Sequence, residues 1–340
     1  MERVGVILEK TSLPFESKAV LNPAIFQEGG KTHMFYRAVA LDGISSIGYC
    51  ELKDGITAIN RMKEAIIKPE FDYEKKGIED PRITKIEDVY YLTYVAYDGV
   101  NARIAYATSR DLKKFTKHGI ISPNFSYKEA EKYLQKSKLK EGYYFFSSYI
   151  RERQGADCVV WEKDPALFPV KFGGKFALIH RILPEMQVIL FDDFKQLQDD
   201  NFWKSYLSNL NKHVIVENTE WFENRNIGGG CPPIETTSGW LLIYHGVHET
   251  NEKRAYSIGA AFLDKNEPWK LVAKAKEPLL SPETDWELSG DVKNTIFPTG
   301  SAIFDNDLYI YYGAADERIA VAKIQLDDLI RDIIKQGLPR

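Results

Sequence analysis

The chain has 340 residues, with 45 Lys and Arg against 49 Asp and Glu, for a net charge of -4. Binding a phosphate backbone needs a basic surface, so nucleic acid is excluded as the main partner. Apolar residues make up 44% and aromatics 13%, enough for a large core and suited to strands and to surfaces that stack on sugars.

The N-terminal run from Met1 to Lys10 is too briefly apolar for a signal peptide, and no segment is apolar for long enough to span a membrane. The three cysteines, Cys50, Cys158 and Cys231, are far apart and lack metal-ligand spacing. They read as free buried thiols in a reducing compartment. The expectation is a soluble cytoplasmic protein with no membrane partner and no metal.

From one end to the other, an aromatic strand followed by a second strand recurs five times. The first strands are Met34–Ala38, Tyr90–Tyr94, Phe176–Arg181, Trp240–His245 and Leu308–Gly313. Their partners are Ser46–Cys50, Ala102–Ala107, Gln187–Leu190, Tyr256–Ala261 and Arg318–Ala322. Polar turns such as Gly29-Gly30-Lys31, Gly173-Gly174-Lys175 and Asp305-Asn306-Asp307 precede most first strands and read as hairpins. Five small antiparallel sheets at roughly 70 residues each predict an all-β chain, a five-bladed β-propeller over residues 1–340, rather than two stacked β-domains. Two segments break the pattern. Tyr127–Glu141 and Phe194–Lys212 are helix-prone insertions, either surface decoration or a lid or specificity wall. Leu326–Lys335 predicts a short amphipathic helix, a clasp or a homo-oligomer contact.

A propeller gathers ligands at its axis, where the first strands begin. Unusual polar residues fall at comparable places in the repeats: Asn22, Arg37, Asp80, Lys163 with Asp164, Arg181, His245 and Asp316. Singly, each has a plainer reading as a surface pair, a solvated charge or a core histidine. As a repeating set they point to a site. Asp80 stands out, in Gly77-Ile78-Glu79-Asp80-Pro81-Arg82. Proline fixes its own φ and keeps Asp80 out of the right-handed helical region, so the acid sits on a stiff corner. The run Gly228-Gly229-Gly230 lacks the Lys-Ser/Thr of a nucleotide-binding loop, and prolines follow where a helix would start.

These residues carry a family resemblance. Gly77–Arg82 with Tyr94–Gly99, Lys163–Pro169, Ile179–Arg181, Gly239–Val247, Phe297–Gly300 and Tyr312–Asp316 resemble, in order along nearly the whole chain, glycoside hydrolase family 130. That family comprises β-mannoside phosphorylases and β-mannosidases on a five-bladed propeller. By the resemblance, Asp80 matches the catalytic acid, and Asn22, Arg37 and Asp316 match residues that hold the sugar before the cleaved bond. Lys163, Arg181 and His245 resemble the cluster that binds inorganic phosphate. The run Ile182-Leu183-Pro184 departs from the family pattern after Arg181, which leaves the β-1,2 or β-1,4 linkage open.

The resemblance implies an inverting phosphorylase. A β-mannoside oligosaccharide and phosphate would give α-mannose 1-phosphate and a shortened acceptor, with no cofactor beyond phosphate as co-substrate. One protein acid suffices, because phosphate is itself the nucleophile. Hydrolysis with inversion needs a second carboxylate set back behind a water. Glu220 and Glu223 are candidates for that role, with loop solvation as the favoured expectation. The alternatives are therefore an inverting β-mannosidase and a non-catalytic glycan-binding propeller.

Overall fold

The structure, a computed structural model, describes residues 1–338, so the last two residues of the expected 1–340 unit lie outside it. β1 (Glu2–Leu8) opens the chain. β2 (Ala19–Glu28), β3 (Lys31–Val39), β4 (Ser45–Lys53) and β5 (Thr57–Ile59) form an antiparallel meander. β6 (Gly77–Ile86), β7 (Val89–Tyr97), β8 (Ala102–Ser109) and β9 (Thr116–Ile120) form a second. One parallel pairing, Ser45 with Gly77, joins them into an eight-stranded sheet.

Helices α1 (Tyr127–Leu134) and α2 (Glu141–Gln154) come next. They lead to a four-stranded sheet of β10 (Lys163–Leu167), β11 (Phe176–Arg181), β12 (Met186–Phe191) and β13 (Val214–Val216), with α3 (Asp200–Leu207) between its last two strands. A five-stranded sheet holds β14 (Asn226–Gly229), β15 (Ile234–Glu235), β16 (Gly239–Glu249), β17 (Arg254–Asp264) and β18 (Leu271–Lys274). The short α4 (Asp285–Leu288) precedes β19 (Ile296–Phe304), β20 (Asp307–Ala314) and β21 (Arg318–Gln325). β1 pairs with β21, so the start of the chain completes its last sheet. Helix α5 (Leu326–Gln336) follows.

All five aromatic strand pairs expected from the sequence are antiparallel neighbours. Their apolar residues are buried on both faces of the sheets, because each sheet packs against others. The helical expectation for 127–141 holds for α1, where Ser126 and Glu129 cap each other. Helicity then extends well past 141, because Tyr143, Phe146 and Ile150 of α2 bury one face. The 194–212 insertion is built of single turns around α3. Helix α5 buries Leu329 and Ile333 in the core shared by the last two sheets, and the Lys274 N–H donates to the Gly337 carbonyl at 3.1 Å. It clasps the two sheets together.

One buried arrangement recurs. Glu16 accepts from Tyr36 at 2.7 Å and pairs with Arg61 at 2.9 Å. Glu74 does the same with Tyr94 and Lys117, at 2.7 and 2.8 Å. Glu223 accepts from Tyr244 and Lys274, both at 2.5 Å. Glu287 accepts from Tyr312 at 2.8 Å and Arg3 at 2.9 Å. All four carboxylates are fully buried. Each glutamate sits in a single helical turn ahead of a sheet, each tyrosine on an aromatic strand, and three of the cations on outermost strands. Glu223 is therefore a structural anchor, not the solvated loop acid expected from the sequence.

Candidate active site

Three residues of the site come from one local device. Asn22, Asp80 and Asp164 each precede a proline, and each lies at a break in the register of β2, β6 or β10. Their φ angles are +46°, +51° and +58°. Proline disfavours the right-handed helical region for the residue before it, and Asn and Asp tolerate the left-handed region better than other side chains. A bulge of this kind re-aims its side chain. Here the three side chains turn into one pocket of about 180 Å³.

That pocket is lined by Asn22, Arg37, Asp80, Lys163, Arg181 and Asp316, six of the seven residues to which the family resemblance gives a role, and by Asp164. Asn22 donates to Asp80 Oδ1 at 2.7 Å, and the Arg37 guanidinium approaches the same oxygen at 3.4 Å. Arg37 also binds Glu79 at 2.7 Å, and Lys163 reaches the other Glu79 oxygen at 3.5 Å. Lys163 and Arg181 face each other across β10 and β11 as register partners. Gly313 makes room for Asn22, since a Cβ there would stand 2.0 Å from Asn22 Oδ1.

The seventh residue, His245, lies behind the wall. It is fully buried, and its Nε2 is 3.3 Å from Arg181 Nη1. Burial pushes its pKa down to about 3, with Arg181 and Arg82 adding to the fall against Asp164. It is therefore a neutral ring, and Nε2 accepts from Arg181. Its partner in this role is Asp164, whose Oδ2 lies 3.0 Å from Arg181 Nη1. A Cβ on Gly228 would sit 2.2 Å from Asp164 Oδ2 and 2.5 Å from His245 Cε1, so only glycine fits there.

Arg82 is a fully buried strut. It donates to the carbonyls of Asp80, Gly229 and Gly230 at 2.8, 2.9 and 3.0 Å, tying β6 to the five-stranded β14–β18 sheet. The glycine run therefore offers carbonyls to a cation. It is no phosphate loop. Burial alone would raise the Asp80 carboxyl, but Arg37, Arg82 and Lys163 outweigh it and hold the group below its ordinary value. Asp316 goes the other way. Burial pushes it up to about 6, with Arg37 opposing and the Asp80 and Glu79 charges reinforcing the rise. The pocket thus pairs a carboxyl held ionised with one whose titration is shifted up toward neutral pH, beside the cations Arg37, Lys163 and Arg181. Tyr256, Thr295 and Phe297 also line it and were not selected from the sequence, because on an aromatic-rich chain they carry no distinguishing signal.

The match of residues 2–336 to the family model described as beta-1,4-mannooligosaccharide phosphorylase decides the family. The chain belongs to glycoside hydrolase family 130. Within the family it is similar to a 1,2-beta-oligomannan phosphorylase of Thermoanaerobacter sp. (strain X514), 31% identical over 95% of this chain and 96% of the relative. A beta-1,2-mannobiose phosphorylase of the same organism is 34% identical over 92% and 91%. The solved beta-1,2-mannobiose phosphorylase of Listeria innocua superposes with a TM-score of 0.71 at 21% identity, covering 97% of this chain and 96% of that one, a likeness of fold.

Proposed function

We propose that this chain is an inverting β-mannoside phosphorylase that joins the mannosyl unit of a β-mannoside oligosaccharide to phosphate. One observation carries the reading: Lys163 and Arg181, paired across adjacent strands, line the same small pocket as Asp80. Two fixed cations suit a phosphate dianion, and the planar Arg181 fork can hold two of its oxygens. Arg181 is in turn aimed by Asp164 and His245. Asn22, Arg37 and Asp316 are placed to hold sugar hydroxyls, which positions the anomeric carbon for attack.

The charge balance also suggests how Asp80 gains its proton. Arg37, Arg82 and Lys163 keep it ionised. A phosphate bound against Lys163 and Arg181 offsets that positive field, so Asp80 rises toward the range of a general acid. It then protonates the leaving oxygen, directly or through a sugar hydroxyl, as phosphate forms the α-mannosyl bond. No further cofactor is needed.

The relatives' names and the family description span β-1,2 and β-1,4 linkages, so both substrate types belong in the assay. The repeated four-stranded units, the contacts of β2 with β6 and β19 and of β6 with β10, and the likeness of fold all support five propeller blades around this pocket, forming one catalytic unit. Three free, buried cysteines fit a cytoplasmic setting.

One observation favours hydrolysis as the second reading: Asp316 is another carboxyl in the pocket, where a hydrolase could use it as a base. Proton NMR of β-mannobiose digested in phosphate buffer separates the two. The phosphorylase reading gives α-mannose 1-phosphate as the first product. Free mannose released at the same rate without phosphate would refute it.

A further inference from the structure

A second cavity, of about 230 Å³, adjoins the reaction pocket and shares Arg181 and Tyr256 with it. Four arginines from separate parts of the fold meet there: Arg153 on α2, Arg181 at the end of β11, Arg225 just ahead of β14 and Arg254 at the start of β17. Among the described residues, no aspartate or glutamate lines this cavity. The sugar and phosphate contacts assigned to the reaction pocket use only Arg181 of the four.

Aromatic rings hold two of these side chains in place. Arg153 lies over the Tyr149 ring at 4.4 Å, and Arg225 lies over Phe146 and Tyr149 at 5.2 Å each. Acids are scarcer. Arg225 and Arg254 share one carboxylate, Glu249, and Arg181 has Asp164. Arg153 pairs with no carboxylate among the described residues. Four guanidinium groups thus meet two carboxylates, a surplus of two positive charges. Arg181 Nε is also buried with no hydrogen-bond partner, which leaves a donor for a ligand. Bracing α2 alone would not gather like charges that repel one another around one cavity.

A phosphate dianion carries the matching charge, and its oxygens accept from planar arginine forks. Position favours it over the leaving sugar. Inversion puts the entering group and the leaving group on opposite faces of the ring. The cavity meets the reaction pocket at Arg181, the proposed phosphate ligand, and so lies on the entering side.

We propose that this cavity is a second anion site, which takes inorganic phosphate and supplies it to Lys163 and Arg181. The supply role rests on the phosphorolysis reading, whereas the anion site stands apart from it. A cleft lined by one sign of charge raises the local concentration of the opposite ion. The site therefore lowers the phosphate concentration needed for turnover without taking part in the chemical step.

The test compares the wild type, the Arg153→Gln/Arg254→Gln double variant and Lys335→Gln, which removes a charge from the exposed face of α5. Equilibrium dialysis against radiolabelled phosphate, without sugar, counts the phosphate bound. The double variant binds one phosphate fewer per chain than the wild type, and Lys335→Gln binds as many. In turnover, kcat/KM for phosphate falls by about tenfold in the double variant alone. Its kcat, mannoside KM and melting temperature stay unchanged, and added sodium chloride narrows the gap. An equal phosphate count in the wild type and the double variant overturns the site and leaves the phosphorylase reading intact. The expected counts with unchanged kcat/KM for phosphate keep the site and refute its supply role. The expected counts with turnover that needs no phosphate keep the site and refute phosphorolysis.

Discussion

Four of the repeated sheet units and the third one solve the same problem differently. In the four, a buried glutamate binds a tyrosine on the aromatic strand and a Lys or Arg close by. In the β10–β13 sheet the glutamate is Glu162, and His180 takes the tyrosine position, 2.5 Å away through Nδ1. Among the described residues, no Lys or Arg completes this trio. Instead, Tyr206 of the α3 insertion meets His180 Nε2 at 2.7 Å. All three side chains are buried. The residues next in sequence to Glu162 and His180 are the pocket cations Lys163 and Arg181.

The difference has a physical sense. A Lys or Arg in the third anchor would put another permanent charge beside Lys163 and Arg181, the two cations proposed to take phosphate. An imidazole and a phenol brace the same strands without one. The four ordinary anchors serve stability, and the third fixes the floor beneath the site. Variants can break this division in order of expected effect.

Asp80→Asn comes first. It removes the acid while keeping the Asn22 and Arg37 contacts plausible in shape, and phosphorolysis falls by about 10³-fold with little change in melting temperature. Equal glycan binding by both proteins, with turnover by neither, would support the non-catalytic alternative. Lys274→Met is the converse. It strands Glu223, which is fully buried, and costs about 3–5 kcal/mol in denaturant unfolding, whereas kcat of the folded enzyme changes little. A cost below 1 kcal/mol would show that the anchor is dispensable.

His180→Gln tests the third sheet directly. Loss of the buried imidazole costs about 1–3 kcal/mol and, unlike Lys274→Met, raises the KM for phosphate by loosening Lys163 and Arg181. An unchanged phosphate KM would dissolve the contrast between the two kinds of anchor. The smallest effect concerns pH. Burial would raise Glu287, but Arg3, two backbone N–H groups and Tyr312 outweigh it and lower its pKa from the ordinary 4.5. A lowered carboxyl contributes stability above its unfolded value and loses it as pH falls through the folded value. The stability gap between wild type and Glu287→Gln is therefore full at pH 7 and closes below about pH 4. A gap that stayed constant down to pH 3 would contradict this.

Much of this was legible in the sequence. The aromatic strand pairs declare themselves because alternation and polar turns are local signals, and the pocket residues because polar side chains at matching repeat positions are conspicuous. The missed features depend on tertiary placement. His245 reads as a pocket ligand until its burial behind Arg181 is seen. Asp164 stands beside Lys163 in sequence, yet its partner Arg181 comes from another strand. Helix α2 runs on through Gly-Tyr-Tyr-Phe-Phe because packing overrides the weak helix preference of aromatic residues. The anchors did leave a trace. Phe15-Glu16, Tyr73-Glu74, Trp161-Glu162, Phe222-Glu223 and Trp286-Glu287 repeat one aromatic–glutamate pair in every unit. Searching for it would have marked Glu223 as structural.

The central claim is that the third sheet holds phosphate against the sugar held with Asp80. Initial rates on a β-mannoside, measured against phosphate concentration for wild type and Arg181→Ala, test it most directly. The account predicts no turnover at zero phosphate, saturation in the wild type, and a phosphate KM raised at least about tenfold in the variant with its melting temperature preserved. Turnover in phosphate-free buffer, or the same phosphate dependence in both proteins, would contradict it.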